Sequence, residues 1–159
     1  MTMNDRKPDG VDQWPLEDAI GWAILGYHAS DQPDKHPTTV YDFLDELYSK
    51  DPYVAGEPGW TIERIDLVED FEKSQTYLDG QLLEDLKELQ RRGEKEGFWV
   101  ANMDVDSSLR TYSSEVFWCA ARKSLLAYGR DNPKRQSEIE EAFRRYPQLR
   151  SLPHPPFSA

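Results

Sequence analysis

Cysteine occurs once in this 159-residue chain, at Cys119, and histidine three times. A lone thiol excludes an intramolecular disulfide framework and any multi-cysteine metal cluster. Long apolar runs are missing as well. The longest, Ala19 to Tyr27, is interrupted by Gly21 and Gly26 and falls far short of the roughly 20 residues that a membrane-spanning helix requires. The first ten residues hold no apolar segment of the secretory kind. Nor is there a glycine-rich phosphate loop, a nucleophile elbow around Ser107, Ser108, Ser113 or Ser114, or an internal repeat. One thiol and no export signal lead to the expectation of a reducing cytoplasm.

Positive charge is scarce. Lys and Arg number 19 against 30 Asp and Glu, a net charge of -11. A field of that sign repels phosphate backbones and anionic lipid surfaces, which disfavours nucleic acid and membrane as partners. The imbalance is uneven: residues 1–90 sum to -14 and residues 91–159 to +3. Such asymmetry concerns surfaces and partners rather than fold.

Core-forming residues are plentiful: 38% of the chain is hydrophobic and 12% aromatic, with five Trp, eight Tyr and six Phe. That supports one packed domain of ordinary size. The expected organisation is a disordered segment over 1–12, a globular domain over 13–147, and an extended proline-rich tail over 148–159.

Helical periodicity organises most of the domain. Pro15 suits a first helical turn, and Leu16, Ala19, Ile20, Ala23 and Tyr27 form a stripe, widened by Trp22 and Leu25, for a helix over 15–29. Thr39 and Asp42 resemble a capping pair before Val40, Phe43, Leu44, Leu47 and Tyr48, which predict a helix over 40–50. Residues 51–59, rich in Pro and Gly, read as a loop. Trp60/Ile62 and Ile65/Leu67 each alternate, with a slip of register between the pairs, and predict a short strand. Leu82, Leu83, Leu86 and Leu89 give a helix over 80–93 ended by Gly93, and Phe98 to Val105 a second strand. Ser113 or Ser114 caps a helix stopping at Gly129, and Asn132-Pro133 opens another bearing Ile139, Ala142, Phe143 and Tyr146. The fold expected is mainly α, or α+β: one domain of about five helices, at most a small two-stranded sheet, and a C-terminal helical hairpin.

Candidate chemistry is thin. Asp104, Asp106, Ser108 and Glu115 occupy positions 1, 3, 5 and 12 of a calcium loop. Leu109 stands where the sharp turn needs Gly, so a polar loop capping the next helix is the better reading. His28, His36 and either Asp31 or Asp34 would make a zinc site only through an improbable convergence, because such a site needs three or four ligands. Cys119 lies between apolar helical positions and reads as an inert buried thiol. The expectation is therefore no catalytic residue, no metal and no cofactor.

Charge carries the functional expectation. The favoured reading is a non-catalytic, acidic interaction protein, of the immunity, antitoxin or inhibitor kind. It would bind and block or regulate a basic protein through Asp42, Asp45, Glu46, Asp66, Glu69 and Asp70. The rival is a DNA-binding regulator with a helix-turn-helix at about 114–146. Lys134, Arg135 and Gln136 would open its recognition helix, and Arg122, Lys123 and Arg130 would hold the phosphates.

Overall fold

A computed structural model describes residues 14–26, 39–56, 59–69, 71–74, 80–102 and 108–150. The elements are α1 (Trp14–Gly26), α2 (Asp42–Leu47), β1 (Tyr53–Gly56), β2 (Trp60–Asp66), α3 (Phe71–Ser74), α4 (Gly80–Arg91), β3 (Glu96–Asn102), β4 (Ser108–Ser113), α5 (Ser114–Asp131) and α6 (Gln136–Arg145). Single 3-10 turns, Pro133–Arg135 and Pro147–Leu149, precede and follow α6.

The expectation of at most two strands is overturned. β1 to β4 form a four-stranded antiparallel meander in sequence order, and the protein is a mixed α+β domain. The two strands read from the sequence, β2 and β3, are its centre, pairing Trp60 with Asn102 through Asp66 with Glu96. The two missed strands are its edges. β1 sends only Val54 into the core, too short a signal to show alternation among Pro and Gly. β4 buries Arg110, Thr111, Tyr112 and Ser113, a mostly polar set that imitates a loop.

Both faces of the sheet are covered. Trp60 and Ile62 join Val54, Phe98, Val100 and Tyr112 under α1, α2, α5 and α6 in the larger core. Ile65 and Leu67 turn to the opposite face, where Phe71, Leu82, Leu86 and Leu89 of α3 and α4 close a smaller core. The slip of register in the β2 sequence is the change from one core to the other. Gly97 of β3 sets how close α4 lies: a Cβ there would meet Leu89 Cδ1 at 2.9 Å and Leu86 Cδ2 at 3.0 Å.

Local signals explain most helix ends. Asp42 accepts from the Thr39 backbone N–H at 3.1 Å and from the Thr39 hydroxyl at 2.5 Å, which braces the turn before α2, while Tyr41 at the N-cap makes no side-chain cap. Ser113 caps α5, accepting from the Val116 N–H at 3.3 Å. That helix runs past Gly129 to Asp131. Gly129 is buried inside it, and Ile139 Cγ1 of α6 lies 3.1 Å from where its Cβ would sit. The residue therefore permits the α5–α6 approach rather than ending the helix.

Candidate functional site: acidic residues, basic residues and the α1–α5 groove

The acidic residues singled out by the sequence divide into two groups. Asp42 accepts from Thr39 in the turn before α2. Asp45 accepts from Arg145 Nη2 at 2.8 Å and from the Tyr146 hydroxyl, while the Arg145 guanidinium lies 4.9 Å over the Tyr41 ring. Asp66 accepts the backbone N–H groups of Val68 and Glu69 at 2.8 and 2.9 Å, closing the turn after β2. These three carboxylates do structural work. Glu46 is half-buried and Glu69 exposed; Asp70 lies outside the described residues.

The basic residues are similarly divided. Arg135 clasps Glu138 through Nε and Nη2 at 2.9 and 2.7 Å and donates to the Tyr128 hydroxyl at 3.0 Å. Glu138 in turn accepts the Val40 N–H at 3.1 Å. Arg135 and the Val40 amide together hold the Glu138 carboxyl below its usual range. This clasp ties the α6 entrance to α5 and to the turn before α2, and it engages the side chain that a DNA reader would extend into a groove. Lys123 lies 3.5 Å from Glu17 of α1. Lys134, Gln136 and Arg130 are exposed, and Arg122 is half-buried. Part of the charge asymmetry along the sequence is thus satisfied inside the molecule: Arg145 with Asp45, and Lys123 with Glu17, join the basic last third to the acidic first part.

A second polar constellation, invisible in the sequence, lies where α2, β2, β3 and α5 meet. Glu96 accepts from the Tyr48 hydroxyl at 2.9 Å and from the Ser114 hydroxyl at 2.9 Å, and stands 3.6 Å from Arg64 Nη1. Arg64 donates to the Leu47 carbonyl at 2.8 Å and lies 4.5 Å over the Tyr48 ring. Tyr48, Trp118 and Tyr146 have ring centroids 5.8 to 6.1 Å apart. Among the described residues the buried Trp118 Nε1–H meets no hydrogen-bond acceptor. Burial first, then the Glu96 charge, push the Tyr48 hydroxyl far above its ordinary value of 10.0. With its proton held so firmly, the phenol is no acid or base near neutrality. The arrangement locks helices to the sheet.

Cys119 is half-buried. Burial, then Glu115, raise its thiol above the ordinary 9.0, the direction of an unreactive thiol. Ser108–Ser113 of the calcium-like string are extended as β4, and residues 104–107 lie outside the described residues, as do His28, Asp31, Asp34, His36 and His154. Among the described residues no group of three or more His, Cys, Asp or Glu could hold a metal ion, and no helix is long and apolar enough to cross a membrane.

A further departure from the sequence reading is on α1. Leu16, Ala19, Ile20 and Ala23 are buried as expected, and Ile24, outside the expected stripe, is buried with them; Tyr27 lies outside the described residues, and Trp22 is 40% and Leu25 61% exposed. They border an open groove of about 400 Å³ between α1 and α5. Gly21 lies in its floor, and a Cβ added there would meet no atom within 4 Å. Carboxylates mark its rim: Glu17 and Asp18 on α1, Asp131 on α5. Asp18 accepts from Asn102 Nδ2 at 2.6 Å, which holds it in place at the sheet end. A wheel drawn for 14–26 already puts Trp22 and Leu25, three apart, opposite Leu16 and Ile20; they do not widen the core stripe.

Comparison with known proteins brings no relative: no family model, curated protein or solved structure matches the chain.

Proposed function

We propose that this chain is a non-catalytic acidic protein that binds a basic protein partner and blocks or regulates it. The observation that carries the reading is the α1–α5 groove, where exposed Trp22 and Leu25 sit beside the carboxylates of Glu17, Asp18 and Asp131. Aromatic anchors supply most binding energy at interfaces, and a charged rim supplies steering and selectivity. The net charge of -11 adds a long-range attraction for a cationic surface. A reducing compartment suits the single thiol.

The test is capture from the organism that makes the chain. Immobilised protein is loaded with lysate at low salt, eluted by a salt step, and the bound species are identified by mass spectrometry. The expected result is a saturable partner rich in Lys and Arg. It is competed by free chain and released as ionic strength passes about 0.3 M, where screening is short-ranged. Retention indifferent to salt, or only of acidic proteins, would remove the reading.

A further inference from the structure

We propose that the α1–α5 groove receives an amphipathic helix of the partner, with apolar residues along one side and Lys or Arg flanking them; this rests on the reading above and names its ligand. Three features point the same way. First, α1 is apolar nearly all round, its only charges being Glu17 and Asp18. A helix of that character is normally covered on every side, yet Trp22 and Leu25 face outward. Second, the groove runs between two helices and away from the sheet edges. An extended peptide would find no backbone ladder there, whereas a helix satisfies its own N–H and C=O groups and needs only apolar pockets. The lining stretch of α1, Glu17 to Leu25, spans about 13 Å, room for about two turns of a docked helix.

Third, the charges ask for cations. Asp131 is the last residue of α5 and is exposed, so its carboxylate adds to the partial negative charge of the helix end instead of offsetting it. Glu17 and Asp18 stand at the opposite end of the groove, near the start of α1. Glu17 already pairs with Lys123 and Asp18 accepts from Asn102, so a cationic side chain of a docked helix would meet the carboxylate of Asp131. Gly21 leaves the floor open between the two ends. The occupant is thus a basic amphipathic helix of another protein, not an acidic peptide and not a strand.

The experiment uses the full chain and a fluorescent peptide of about 18 residues, made of Leu and Lys with one apolar stripe. Its partners are a Glu-for-Lys version and a scrambled version of the same composition. Binding by anisotropy is measured for the natural sequence, Gly21→Met, Trp22→Ala and Asp131→Lys. Gly21→Met fills the floor with no change of charge, so it reports the groove; Asp131→Lys reports the rim. The striped basic peptide is expected to bind, at least about tenfold more weakly in each variant, with a thermal midpoint for Gly21→Met no lower than that of the natural sequence. The acidic and scrambled peptides are expected to bind at least about tenfold more weakly than the striped one.

Salt-sensitive binding that Gly21→Met and Trp22→Ala leave unchanged would remove the groove and leave the acidic-partner reading standing. Failure of lysate capture would remove that reading itself. A concentration-dependent dimer in light scattering, abolished by Gly21→Met, would assign the groove to a second copy and overturn the proposal. Tighter peptide binding after Leu152→Ala with Phe157→Ala would assign it to the chain's own carboxyl end, with the same consequence.

Discussion

Individual residues here are held by pairs of unlike chemistry, and their titration exposes them. Tyr48 and Tyr146 are both raised well above 10.0, by burial first and then, for Tyr48, by the charge of Glu96, and for Tyr146, by its hydrogen bond to Asp45. The folded form therefore keeps these protons in a range where the unfolded chain loses them. Their contribution to stability is complete below pH 10 and declines as pH rises above it. In an alkaline titration followed by tyrosinate absorbance, these two rings are expected to ionise only with unfolding, after the exposed tyrosines. Free titration of all eight near pH 10, in protein still folded by circular dichroism, would contradict the burial argument. Tyr48→Phe removes one donor to Glu96 but leaves Ser114 and Arg64, so a loss of about 1–2 kcal/mol is expected in denaturant unfolding. Glu138 behaves oppositely. Its pKa is lowered, chiefly by the Arg135 hydrogen bonds, so its contribution is present above the usual carboxylate range and fades as pH falls through its folded value. The stability gap between the natural sequence and Glu138→Gln is accordingly expected at pH 7 and should close in acid.

Elements differ in how legible they were, and the reason is what each face touches. Helices α2 and α4 pack one side against a core, so Phe43, Leu44 and Leu47, or Leu82, Leu86 and Leu89, repeat at helical spacing. Strand β2 serves two cores, which breaks its alternation at the switch from Ile62 to Ile65. The edge β4 carries polar residues inward, and no periodicity of hydrophobicity can reveal it. Glu96, Tyr48 and Ser114 come from three elements and become a cluster only after the sheet forms, so no spacing announced them. Trp22 and Leu25 were legible as apolar residues; that they face outward follows from the greater weight of Leu16, Ala19, Ile20, Ala23 and Ile24 on the other side. Packing of elements also sets opposite signs for one substitution. Gly21→Ala adds a methyl group in open space and improves helix propensity, so a gain of about 0.5–1 kcal/mol is expected. Gly97→Ala forces the methyl against Leu89 and Leu86, both fully buried, and overpacking of that kind costs about 1–3 kcal/mol. Thermal melts of the two variants check both signs; a stabilising Gly97→Ala would show that α4 can retreat from the sheet.

At the scale of the whole molecule, the excess of 30 acidic over 19 basic residues does two things that charge reversal can separate. Some carboxylates hold the fold, and others only contribute to the field. Asp45 belongs to the first kind: Asp45→Lys sets a cation against Arg145 and leaves the Tyr146 hydroxyl without its acceptor. An expected loss of about 2–4 kcal/mol follows from breaking a partly buried charged network. Glu69 is exposed and belongs to the second kind. Glu69→Lys should leave stability within about 0.5 kcal/mol, and by lowering self-repulsion in low salt it should, if anything, raise the thermal midpoint. The same change weakens the field that draws in a basic partner, so association should slow by a few fold at about 20 mM salt and converge with the natural sequence near 0.5 M, where the Debye length is only a few ångströms. Stopped-flow association with a captured basic partner, read beside thermal melts of the same samples, separates the two kinds of carboxylate. If Glu69→Lys slowed association equally at both salt concentrations, the residue would be a contact rather than a source of field. The acidic surface would then reach from the α1–α5 groove to the turn after β2.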